Sequence, residues 1–106
     1  MTFVGSGPGP PGMDIDLGMV SAGIEALREL ASDPDGAGDK GRVYDFSVRW
    51  GVLVSGRLER VEHYHRKGEL MEEQERRYRE LRRELEEAIP LIERFGIARP
   101  TVPLED

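Results

Sequence analysis

Cysteine is absent from the 106 residues, which removes disulfides, thiolate nucleophiles and cysteine-ligated zinc from the possibilities. Long apolar runs are missing as well, and nothing approaches the ~20 residues that a membrane-spanning helix needs. The N-terminus lacks a basic cluster followed by an apolar stretch, so no secretory leader is expected and a cytoplasmic protein is. Asparagine does not occur, and two lysines stand against 13 arginines. That bias reads as the usage of a GC-rich, bacterial genome and carries no function. Histidine is nearly absent too, with only His63 and His65.

What is present describes one small domain. Hydrophobic residues make up 38% and charged residues 34%, the balance of a helix-rich globule and not of a disordered chain. Residues 1–13 are Gly/Pro-rich and expected to form a disordered tail. Residues 14–98 are the expected helical domain, and 99–106 an extended arm. Because the opening residues look dispensable, Met13 and Met19 are alternative starts. The net charge of −6 is uneven, with −5 over residues 1–41, +2 over 42–69 and −2 over 70–95. An acidic chain is a poor nonspecific binder of nucleic acid.

The strongest pattern lies at the C-terminal end. Met71, Gln74, Tyr78, Leu81, Leu85, Ala88, Ile92 and Phe95 fall at alternating spacings of three and four, a heptad seam that must face another helix. Glu72, Glu73 and Glu75 favour the N-terminus of this helix through its dipole. They are spaced to pair with Arg76, Arg77 and Arg79 at i,i+4. Pro90 should bend the helix, and Gly96 should end it with Ile97 folded back toward Ile92. A second, shorter amphipathic helix is expected over 19–32, carrying Val20, Ile24, Leu27 and Ala31 on one face and stopping before Pro34.

Residues 42–67 admit two readings. At helical period Val43, Phe46, Trp50, Leu58 and Val61 form one stripe, with Gly51 and Gly56 each costing ~1 kcal/mol relative to Ala. At period two, Tyr44, Phe46, Val48, Trp50, Val52 and Val54 alternate as in a strand. That strand would have no partner in the chain, so helix is the preferred reading. The fold expected is all-α: an antiparallel helical hairpin of 42–67 and 71–95 with the short N-terminal helix, as a three-helix bundle or a dimeric four-helix-type bundle. If 44–54 were a strand, the order strand, helix, Gly turn, helix resembles a dimeric ribbon-helix-helix repressor. The resemblance would place Asp45, Ser47 and Arg49 toward DNA, with Arg57 and Arg60 near phosphates.

Candidate chemical sites are thin. His63 and His65 diverge by roughly 200° on a helix, and Glu59 with His63 supplies only two ligands. Asp33, Asp35 and Gly38 match the start of a calcium loop, but Tyr44 stands where a bidentate Glu is required. No cofactor, metal or small-molecule substrate is expected, and no enzyme. The expected function is a helical protein-interaction or regulatory module acting through coiled-coil-like packing. Its packing residues are Phe46, Trp50, Leu58, Val61, Tyr78, Leu81, Leu85, Ile92 and Phe95. A second copy or another protein is the expected partner, because Val48 and Val52 leave an uncovered apolar face.

Overall fold

A computed structural model of the chain describes residues 9–104, and every regular element among them is helical. The helices are α1 (Met13–Ser32), α2 (Pro34–Ala37), α3 (Lys40–Ser55), α4 (Arg57–Arg66), α5 (Glu72–Glu87) and α6 (Ile89–Phe95). Residues 1–8 and 105–106, which include most of the expected N-terminal tail, lie outside the described residues.

The fold is the expected all-α bundle, and the strand over 44–54 is not formed. That stretch lies inside α3. A helix satisfies its own backbone donors, whereas the strand had nothing to pair with. The Asp39 carboxylate caps α3, accepting from the N–H groups of Gly41 at 2.9 Å and Arg42 at 3.2 Å. The helix therefore begins at Lys40, two residues before the expected start. Asp33 caps α2 in the same way, accepting from the Asp35 N–H at 3.2 Å. Of the two acids that resembled a calcium loop, Asp33 serves as a helix cap and Asp35 lies within α2.

Two expected helices are each divided. Gly56 separates α3 from α4, although its N–H still reaches the Val52 carbonyl at 3.0 Å. Ala88 separates α5 from α6, because Pro90 has no N–H to continue the ladder. The N–H groups of Leu91 and Ile92 converge on the Ala88 carbonyl, both at 2.9 Å. Gly96 then adopts a left-handed conformation at φ 64°, and the Ile97 N–H bonds the Ile92 carbonyl at 3.1 Å as expected.

The N-terminal helix differs most from expectation. It spans 20 residues and starts six residues before residue 19. Met13 and Leu17 are fully buried and extend the Val20, Ile24 and Leu27 stripe backward. The intervening acids Asp14 and Asp16 hide that continuation in the sequence. This length makes α1 the centre of the bundle. Its backbone approaches α4, α5 and α3 closely, so the two arms flank α1 over most of their length. Leu17, Ile24 and Leu27 share one core with Leu58, Val61, Tyr78, Leu85 and Ile92, all essentially inaccessible. Burial of each such aliphatic side chain contributes ~1.5–3 kcal/mol.

The C-terminal arm is fastened across the bundle. The Trp50 indole Nε1–H donates to the Ala98 carbonyl at 2.7 Å, and the Thr101 hydroxyl donates to the Glu59 carboxylate. Val102 is buried.

Candidate functional site

The outer face of α1 is built from Met19, Ala22, Gly23 and Ala26, three of them too small to fill space against a neighbouring helix. α3 packs there with Phe46, Trp50 and Leu53. The side chain of Leu53 occupies the place where a Cβ on residue 23 would stand, and the Trp50 ring edge lies 3.8 Å from that place. Small residues on one helix facing large ones on the other leave a trough between them. Its volume is about 470 Å³. Phe46 and Trp50 stack at a centroid separation of 5.9 Å along its floor. Met19 and Val52 form its rims and are 45% and 69% exposed.

Only two charged residues line this apolar stretch, Arg49 and Arg57, and both are cations. Arg57 is positioned by Asp16. The Asp16 carboxylate is buried on α1, accepting from Arg57 Nη1 at 2.7 Å and also from Arg60. Arg60 further donates to the Pro11 carbonyl at 2.6 Å. Two guanidiniums share one carboxylate, so this end of the groove keeps a net positive charge. Arg49 is exposed, and among the described residues its guanidinium makes no hydrogen bond or ion pair.

Beyond Arg49 the trough continues toward α2 as a more polar stretch of about 420 Å³, bounded by Glu29, Asp33, Arg42 and Asp45. Arg42 meets Asp33 there at 3.3 Å. Hydrogen bonding from the Gly36 backbone, ahead of the Arg42 guanidinium, holds the Asp33 carboxyl below the usual carboxylate range.

Of the nine packing residues, only Phe46 and Trp50 line the trough. Trp50, Leu58, Val61, Tyr78, Leu81, Leu85 and Ile92 are buried in the chain's own core, and Phe46 and Phe95 pack partly against it. Most of the heptad seam is therefore covered internally, although Met71 remains 43% exposed. Within that core the Tyr78 hydroxyl donates to Glu62 Oε1 at 2.5 Å. Burial, reinforced by this carboxylate, pushes the Tyr78 phenol far above its ordinary range.

The expected Glu–Arg ladder on α5 is replaced by other pairings. Arg76 turns to Glu73, while Arg77 faces Asp14 of α1 at 3.9 Å. Glu75 binds His65 Nδ1 at 2.8 Å, joining α4 to α5. For Arg77 and Glu75 a partner on another helix outcompetes the i,i+4 neighbour, because pairs on a bare helix are worth only ~0.2–0.5 kcal/mol. His65, in the last turn of α4, is partly buried against Tyr78. Among the described residues no three metal-ligating side chains gather, and no helix is long and apolar enough to cross a membrane.

Val48 and Val52 were legible as an uncovered face, and both are exposed on α3. The α1 half of the groove was not. Its signal was the small residues Gly18, Ala22, Gly23 and Ala26 interspersed along α1. Arg49 and Arg57 had a role only in the repressor reading. No protein-family model matches this chain, and neither a curated protein nor a solved structure does.

Proposed function

We propose that this chain is a non-enzymatic helical module that binds a helix of another polypeptide in the groove between α1 and α3. The observation that supports this is the apolar trough itself, rimmed by exposed Met19 and Val52 and walled on its α1 side by Ala22 and Gly23. Small-molecule sites enclose most of their ligand. An open trough alongside a 16-residue helix, ~24 Å long at 1.5 Å per residue, instead matches a helix lying in a groove. Coiled-coil-like packing thus serves two ends: the seam on α5 and α6 builds the fold, and the α1/α3 trough accepts the partner. The repressor alternative has lost its DNA-reading strand, since residues 44–54 are helical.

Selection of binders from a library of randomised amphipathic helices tests the reading. The helices recovered should lose at least tenfold in affinity for Val52→Glu and for Ala22→Arg, both exposed groove positions. Recovered helices that bind both variants as well as the parent would place docking elsewhere and end this proposal.

A further inference from the structure

Resting on that reading, we infer that the helix taken up by the groove is acidic, with two carboxylates about two turns apart that meet Arg49 and Arg57. The protein as a whole carries a charge of −6, yet the apolar part of its trough is lined by these two arginines and no acid, Glu29, Asp33 and Asp45 bounding only the polar stretch beyond Arg49. They lie eight positions apart on α3 and α4, on either side of the Gly56 break, and an uninterrupted helix of that length would rise ~12 Å at 1.5 Å per residue. Carboxylates seven or eight residues apart on an apposed helix span the same distance.

The two arginines differ in what they require. Arg57 already shares Asp16 with Arg60, so an incoming carboxylate would complete a two-to-two cluster. Arg49 has no ion-pair partner among the described residues. An occupant that covered it with apolar surface would strip its water and return nothing. A carboxylate there accepts from the guanidinium in the two-pronged geometry that arginine favours. Complementary charge of this sort mainly sets partner choice and encounter rate, while Met19, Val52, Leu53 and Trp50 supply the apolar contact.

The same charges argue against a second copy of this chain. A two-fold arrangement joining trough to trough would bring Arg49 and Arg57 toward their own equivalents. Like charges across an interface are costly. The groove fits an acidic partner better than it fits itself.

Two synthetic helices of about 16 residues, both lacking Trp, provide the test. They carry the same leucine stripe, one with Glu and the other with Lys at the two flanking positions. Calorimetry measures affinity, and emission from Trp50, the single tryptophan, places the bound peptide in the trough. The Glu peptide should bind at least tenfold more tightly than the Lys peptide, with the difference shrinking as salt rises. Arg49→Glu should erase or invert that preference. Equal binding of both peptides in the groove would overturn the charge inference while sparing the docking reading. Failure of both peptides, together with indifference of the library-selected helices to Val52→Glu, would overturn both. If sedimentation instead finds a dimer that Val52→Glu dissociates, the occupant is a second copy and the inference is wrong.

Discussion

On its inner side α1 joins Leu17, Ile24 and Leu27 to a core with Leu58, Tyr78 and Leu85, all inaccessible. On its outer side the same helix sets Ala22, Gly23 and Ala26 beside α3 and leaves a trough of about 470 Å³. The inner face is finished with large side chains, and its buried acids are satisfied: Glu62 by Tyr78, and Asp16 by Arg57 and Arg60. The outer face has exposed valines and an arginine without a partner among the described residues. Closing the inner face is enough to fold the chain. The incomplete outer face costs little stability, because alanine and glycine offer no large apolar surface to bury. One helix can therefore serve both folding and recognition, with residue size deciding which face does which.

The comparison breaks first if the inner face proves dispensable. Trp50→Ala should be the most damaging substitution, costing about 3–5 kcal/mol. The indole is 2% exposed and also tethers the C-terminal arm through Ala98. Leu85→Ala, at 0% exposure, should cost about 2–5 kcal/mol. Urea denaturation reads both, and parent-like midpoints would mean that Trp50 and the seam at Leu85 are not buried as described.

Asp16→Ala sharpens the boundary between the faces, since Asp16 is buried inside yet holds the Arg57 that borders the groove. The variant should lose about 1–3 kcal/mol. Removing one partner of a buried pair can cost about 3–5 kcal/mol, but the arginine side chains here are 42% and 37% exposed, so water recovers part of it. A stability within experimental error of the parent would show that the clamp is ornamental to the fold.

Tyr78 tests the inner face by pH. Its phenol titrates far above the ordinary range because burial, then Glu62, disfavour the charged form. The neutral phenol is thus the form favoured by folding. This contribution is fully present below the unfolded value near ~10 and is lost as pH rises through and beyond it. The stability of the parent should fall above pH ~10 more steeply than that of Tyr78→Phe. Parallel profiles would mean that the ring reaches solvent.

The contrast between faces also explains what could be read in the sequence. The seam from Gln74 to Ile92 was legible because large apolar residues at regular spacing have one physical meaning. The start of α1 was not, since Asp14 and Asp16 break the pattern and only the fold supplies Arg57 and Arg60 to offset a buried acid. The choice between helix and strand over 44–54 turned on long-range pairing, which no local pattern contains. The groove was half legible. Val48 and Val52 announce an exposed apolar face, of which Val52 lines the groove, but Ala22 and Gly23 acquire meaning only once α3 is laid against them.

The smallest expected effect lies on the outer face. Val52→Ser should change stability by less than about 0.5 kcal/mol, as should the solvent-face control Glu73→Ala. Val52 is 69% exposed, so the substitution removes little buried area and leaves the new hydroxyl in water. The same substitution should weaken a groove-bound helix, because the valine rim would be covered only in the complex. Binding and folding should thus respond oppositely: Leu85→Ala disturbs the fold throughout, while Val52→Ser leaves the melt unchanged and lowers affinity. Denaturation of the free protein at two concentrations, tenfold apart, decides whether the face is open. If Val52→Ser costs more than about 1.5 kcal/mol, and the cost grows with protein concentration, the residue is already buried against another copy. The outer face would then be a second core and not a vacant binding surface.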